Sequence, residues 1–159
     1  MIVVSDTTPL HYLILIDEVN ILPGILGEIV IPMTVFRELQ ADKTPSKIKQ
    51  FLAEPPAWLS IKAATGIVDT DLFDIDAGER EAILLAEQLA ADAILIDDRA
   101  GREVAERRGL RVIGTLGVME LAADENLLDF VDALERIKRA GFFISPALEK
   151  DFLARQGLN

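Results

Sequence analysis

The sequence predicts an α/β chain with three layers, α/β/α, around a central and mostly parallel sheet. Three observations lead there. First, the runs Ile2-Val-Val4, Glu28-Ile-Val-Ile31 and Ala93-Ile-Leu-Ile96 carry almost no polar alternation, the pattern of strands buried on both faces. Second, each run is followed by a helix: after Asp6-Thr-Thr-Pro9, a hydroxyl cap with Pro in the first turn, after Pro32 from Met33, and after Asp97-Asp-Arg99 from Gly101. Third, strands that alternate with helices form parallel pairs through right-handed crossovers, so their carboxyl ends share one edge.

The elements follow in order. After the strand at Ile2–Val4, Thr7 and Thr8 offer a hydroxyl cap, Pro9 suits a first turn, and Leu10–Ile16 reads as a buried helix. Asp6 is either a ligand-facing acid at the strand's carboxyl end or simply the cap of that helix. His11, the one histidine, is expected to be packed or surface-exposed rather than catalytic. A short helix starts at Asp17-Glu18 and runs through Leu22, with Pro23-Gly24 and Gly27 breaking it up. The strand Glu28–Ile31 leads into a helix over Met33–Ala41 that carries Glu38 beside an apolar stripe. Asp42–Thr44 is a turn, and Pro45–Ala53 is a helix bearing Lys47 and Lys49. With Lys43 these form the densest positive patch of the first half, either solvated surface or an RNA-backbone contact.

Glu54-Pro-Pro-Ala57 is a linker, and Trp58–Lys62 is a strand whose tryptophan closes the core edge. Ala63–Ile75 is irregular and acidic, and it lacks the glycine turn and closing Glu of a calcium loop. Asp76 caps a strong helix over Ala77–Ala90, with Glu79 and Glu81 in its first turns. Ala93–Ile96 is the next strand, Gly101–Arg108 a helix stopped by Gly109, and Arg111–Ile113 a short strand. Gly114-Thr-Leu-Gly117 reads as a turn before a helix over Val118–Ala123. Helices near Leu127–Ala140 and Pro146–Gln156 close the chain. One domain over residues 1–159 is expected, with a core over about 1–123 and C-terminal helices over about 127–156.

Bulk composition narrows the chemistry. Half of the residues are hydrophobic, so an ordered core is expected. Cysteine is absent, which removes disulfides, thiolate zinc sites and cysteine nucleophiles. No cationic opening precedes an apolar run with a cleavage signal, and no apolar stretch is long enough to cross a bilayer. A cytoplasmic protein without membrane contact is therefore expected. The net charge of -11 argues against a broad basic nucleic-acid surface. It leaves room for a nuclease whose acidic cleft is offset by bound cations, and for a basic partner segment.

The acids carry the functional signal. Asp6, Asp97 and Asp98 all follow strands, so they lie on the sheet edge where α/β folds bind ligands. The helix with Glu38 leaves that edge, and the helix opened by Glu79 reaches it. Carboxylates that converge in a cleft repel one another and raise one another's pKa values unless a cation is present. Mg²⁺ and Mn²⁺ take oxygen ligands, orient water and offset charge on phosphoryl transition states. The residues therefore point to metal-dependent phosphoryl transfer or phosphodiester hydrolysis.

Ser5-Asp-Thr-Thr-Pro-Leu10 and Ile31-Pro-Met-Thr-Val-Phe-Arg-Glu38 resemble the opening motifs of PIN-domain ribonucleases. Asp76-Ala-Gly-Glu-Arg-Glu-Ala-Ile83, Leu95-Ile-Asp-Asp-Arg99 and Gly101-Arg102 resemble a prokaryotic PIN-like branch often encoded beside a small antitoxin-like gene. The resemblance spans roughly Met1–Ala123. It implies hydrolysis of single-stranded RNA by an acidic cluster holding Mg²⁺ or Mn²⁺. It makes Asp6 the first ligand and Glu38 the second acid. Asp98 is the late acid with Asp97 as its rival. Glu79 is the helix-start acid, where many relatives have Asp, with Glu81 as the alternative. Thr7 and Thr115 are candidates to hydrogen-bond a ligand or water. Arg99 and Arg102 either hold phosphate or pair with surface acids. A small antitoxin partner and a homodimer are also implied.

Other readings differ in specific residues. A haloacid-dehalogenase-type phosphatase needs a second Asp two residues after Asp6, where this chain has Thr8. A receiver domain needs its acidic pair after the first strand, not after a late one. A PIN-like binding module with a weak or blocked cleft is the main non-enzyme alternative.

Overall fold

The computed structural model describes residues 1–158. Its sheet holds β1 (Ile2–Ser5), β2 (Glu28–Pro32), β3 (Leu59–Lys62), β4 (Ala93–Leu95) and β5 (Val112–Ile113) in the order β3-β2-β1-β4-β5. Every pairing is parallel, so the sheet is wholly rather than mostly parallel. The buried runs explain this directly, because a strand covered on both faces needs crossover helices. Side chains alternate between two cores. Val3, Ile29, Ile31, Ala93 and Leu95 enter one hydrophobic cluster, and Val4, Val30, Ile94 and Ile96 enter the other.

The first cluster is covered by α1 (Thr7–Leu15), α2 (Leu22–Leu26), α3 (Met33–Glu38), α4 (Ser46–Ala53), α7 (Thr115–Asp124), α8 (Phe130–Arg139) and α9 (Pro146–Arg155). The second is covered by α5 (Ala77–Gln88) and α6 (Arg99–Arg107). The three layers expected from the sequence are thus present. Among the described residues, no single helix is long and apolar enough to cross a membrane.

The strand order fixes where ligands can bind. The chain moves from β1 outward through β2 and β3, then returns to the other side of β1 with β4. The topological switch therefore lies between β1 and β4, where crossover helices diverge to opposite faces and leave a crevice. Asp6 follows β1, and Asp97 and Asp98 follow β4.

Several elements depart from the sequence expectation. The short second helix does not end at Leu22. Val19–Ile21 forms a 3-10 turn, and α2 continues through Pro23 and Gly24 to Gly27, whose φ is +79°. Pro23 sits in the first turn, where its missing N–H costs nothing. The segment before α5 is not simply solvated. It contains a 3-10 turn at Thr70–Leu72, and Leu72 and Ile75 are buried in the second core. α3 stops at Glu38 rather than Ala41, followed by turn hydrogen bonds at Gln40 and Ala41. α7 starts at Thr115 rather than Val118, and the reason lies in the crevice.

Candidate active site

Each acid on the edge is set by a local device. Asp6 occupies the N-cap position of α1 but makes no capping hydrogen bond, so its carboxylate is left for the crevice. Its own N–H donates to Leu95 O at 2.9 Å, tying β1 to the end of β4. Asp76 caps α5, accepting from Glu79 N at 2.8 Å. Asp98 caps α6, accepting from Gly101 N at 3.3 Å. Asp97 instead accepts from Thr115 N at 2.8 Å and from the Thr115 hydroxyl. That carboxylate satisfies an orphan donor of α7 and starts the helix three residues early.

Thr7 and Thr115, read as supporting residues, hold carboxylates. The Thr7 hydroxyl donates to Glu38 Oε2, as Thr115 does to Asp97. The two arginines separate. Arg102 donates to Ile96 O at 3.2 Å and lies beside Asp97, whereas Arg99 is 93 % exposed and pairs with Glu103 at 3.2 Å. Glu81 faces Glu38 electrostatically, and its Oε2 is buried without a hydrogen-bond partner. The lysine patch is partly spoken for: Lys47 pairs with Asp17 at 2.9 Å.

Three glycines let the acids approach the backbone closely. A Cβ on Gly78 would lie 2.7 Å from Glu38 Oε1, and one on Gly101 would lie 3.1 Å from Glu79 Oε2. A Cβ on Gly114 would lie 3.0 Å from Asp97 Oδ1 and 2.6 Å from Arg102 Nη1. Each glycine stands at or near a helix start, so the carboxylates pack against peptide units with nothing between.

The electrostatics are those of acids pressed together, with Arg102 beside Asp97. Asp6 is only 5 % exposed, and its pKa is raised from 3.8 to about 7. Burial is the main cause, the charges of Asp76, Glu38 and Asp97 add to it, and the Thr7 amide opposes it. Glu79, 6 % exposed, is raised by burial, then by its contact with Asp76, and by the charges of Asp98 and Asp6. Glu38 is raised by burial and by Asp76 and Glu81, against the Thr7 hydroxyl and the Gly78 amide. Asp97 is raised by burial, against Thr115 and Arg102.

Asp76 is the acid that sequence reasoning missed as a site residue. Its capping role accounted for it fully, yet its charge acts on Asp6, Glu38 and Glu79 alike. The available signal was its place one step before a helix that opens on the shared edge. The structure thus brings Asp6, Glu38, Asp76 and Glu79 into one electrostatic group, with Asp97 coupled to Asp6 and Asp98 to Glu79.

This donor set fits a hard divalent cation. It is all oxygen and crowded, with Asp6 and Glu79 buried and Glu38, Asp76 and Asp98 open to solvent, and the orphaned Glu81 Oε2 adds an unsatisfied acceptor. Among the described residues, no three of these side chains already converge as a finished metal site. Hydrogen bonds to Thr7 and Thr115 account for the orientations of Glu38 and Asp97.

Comparison with known proteins agrees with the fold. A search of curated proteins finds no significant match. Among solved structures, a PilT N-terminus domain protein from the hyperthermophilic archaeon Sulfolobus solfataricus is similar, with a TM-score of 0.54 and 19 % identity. The match covers 78 % of this chain and 92 % of that one. PIN domains are generally nucleases that use divalent metals, and a family model described as a PIN domain matches residues 2–157. With nearly the whole chain inside that match, the protein belongs to the PIN-domain family.

Proposed function

We propose that the protein is an endoribonuclease that hydrolyses phosphodiester bonds of single-stranded RNA with Mg²⁺ or Mn²⁺. The observation that carries this reading is the crowding of Asp6, Glu38, Asp76 and Glu79 at the topological switch between β1 and β4. Buried like charges weaken a fold unless a cation offsets them. Asp6, Glu38, Asp76 and Glu79 would hold the ion, with Asp97 or Asp98 completing the set. When bound, such an ion supplies Lewis acidity that activates water and offsets charge on the phosphoryl group.

The chain's own groups do the rest. Thr7 and Thr115 hold Glu38 and Asp97 in single orientations, which limits their freedom to swing into solvent. Arg102 sits beside Asp97 and supplies a guanidinium at the edge of the site for a phosphate oxygen. The resemblance to prokaryotic PIN toxins extends the proposal to a small antitoxin that covers the cleft with a basic residue, and to a homodimer. Co-purification with the product of the neighbouring gene tests the first, and sedimentation tests the second.

A binding-module reading is favoured by one observation: Glu38 and Asp97 are already engaged by the Thr7 and Thr115 hydroxyls. The discriminating experiment adds Mn²⁺ over a wide range to protein and unstructured RNA. Cleavage that EDTA stops supports the nuclease. Retarded RNA without cleavage at any Mn²⁺ concentration supports the module.

A further inference from the structure

A groove of about 890 Å³ leaves the acidic edge at Thr8, Asp97 and Asp98 and runs to the connection between α8 and α9. Its far wall carries Phe142 and Phe143. Phe142 is anchored edge-on to Tyr12, with ring centroids 5.2 Å apart. Its N–H donates to Ile137 O at 3.1 Å, and the neighbouring Gly141 N–H reaches Lys138 O, so the connection is hydrogen-bonded. Phe143, next in sequence, is 86 % exposed. A large aromatic held out from a fixed connection, on the wall of a groove, contributes nothing to the core.

Two of the groove's three guanidinium groups are held by carboxylates, and the third, Arg102, sits at its acidic end. Arg99 pairs with Glu103, Arg155 pairs with Glu120 at 2.7 Å and lies over the Phe152 ring, and Arg102 binds Ile96 O. With Asp97, Asp98, Glu103, Glu106 and Glu120 also on its lining, the groove has no surplus of positive charge to hold a phosphate backbone, and the rest of its wall is apolar and aromatic. A polymer cut at the acidic edge must continue along the adjoining surface, and this groove begins there. We propose that the groove takes the unpaired nucleobases flanking the cut phosphate, with Phe143 as the stacking platform. Recognition then rests on base stacking more than on backbone charge, which suits single strands because paired bases have no free face. The inference rests on the nuclease reading for its choice of occupant.

Direct binding tests it. A short unstructured RNA with a fluorescent end label is titrated with the Asp6→Asn protein, which keeps the RNA intact, and with Asp6→Asn carrying Phe143→Ala or Phe143→Trp. Loss of one stacked base predicts affinity roughly five- to a hundred-fold weaker for the alanine variant, restored by tryptophan. The affinity should fall only gently with salt, because few phosphates are neutralised. In the Asp6-containing protein, Phe143→Ala should raise KM while the Mn²⁺-induced rise in Tm stays unchanged.

Equal affinity with and without Phe143, or tryptophan failing to restore it, overturns the inference. Wild-type cleavage together with that result leaves the nuclease reading standing. Phe143-dependent binding with no cleavage by wild type does the reverse. A concentration-dependent dimer lost in Phe143→Ala, with RNA affinity unchanged, assigns the groove to a second copy and also overturns the proposal. No RNA binding by any of the proteins overturns both.

Discussion

Asp6 shows at the scale of one residue how position dictates chemistry. The chain puts an acid directly after the buried central strand of its sheet, so the carboxylate inherits the burial of the sheet. In the metal-free protein that burial is unfavourable once the group ionises. The sign follows from the two pKa values. The unfolded chain releases the proton near 3.8, and the folded chain holds it until about 7. This contribution to stability is fully present below 3.8 and is lost by the time the pH passes about 7. Asp6→Asn removes the dependence. Its Tm without metal should match wild type near pH 4 and exceed it by several degrees at pH 8, while cleavage is abolished. Scanning calorimetry across pH in EDTA checks the first part. A Tm gap that shrinks as pH rises would contradict it.

Gly78 makes the complementary case. A methyl group there would stand 2.7 Å from Glu38 Oε1. The displaced atom ends a flexible side chain, so this buried first-turn position accommodates the change, and replacing glycine by alanine restricts the unfolded chain by about 0.4–1 kcal/mol. Gly78→Ala should therefore hold or raise Tm while cutting cleavage about ten-fold or more, as Glu38 is pushed off its Thr7 contact. Parallel melting and cleavage assays check this. A fall in stability with activity intact would show that Glu38 has no positional role.

At the scale of elements, much of the fold was legible because each signal was local. Ile2–Val4 and Ala93–Ile96 read as buried strands, and Asp76, Asp98 and Ser145 stand at helix starts where their side chains accept amide protons. What escaped was set from afar. Gly114-Thr-Leu-Gly117 has the composition of a turn, but α7 begins at Thr115 because Asp97, distant in sequence, accepts its N–H. The segment before α5 reads as polar loop, yet Arg108, only 16 % exposed, holds Asp69 at 2.9 Å and Glu87 at 2.8 Å. Arg80 reaches back to Leu72 O at 3.0 Å, so the segment that delivers Asp76 is braced twice. Arg108→Met should speed amide exchange over residues 65–76 more than elsewhere and lower Tm by a few degrees. Uniform exchange across the chain would show that the ion pairs do not brace the loop.

The site followed the same division. Asp6, Glu38, Glu79 and the Asp97-Asp98 pair could be named because strand ends and helix starts are visible in sequence and the sheet edge is shared. Asp76 could not, since a capping aspartate already has a local explanation. Nor could the orientation of Asp97 and Asp98 be read, because each caps a different helix and only the packed structure shows which.

For the whole molecule, strand order is the decisive fact. The order β3-β2-β1-β4-β5 places the crevice between the strands that end in Asp6 and Asp97, and sends α5 and α6 to one face with their first turns at that crevice. Net charge of -11 then concentrates its consequences at one edge, where a divalent cation has most to gain. Mn²⁺ should raise Tm by binding the folded state alone, and the rise should vanish in Asp6→Asn. A rise of equal size in both proteins would place the ion elsewhere.

The most direct measurement is cleavage of a long, partly single-stranded RNA with Mn²⁺, with Mg²⁺ and with EDTA, using wild type and Asp6→Asn side by side. The account predicts cuts in unpaired stretches that need the metal and disappear in the variant. Cleavage that persists in Asp6→Asn, or none by wild type at any metal concentration, would contradict it.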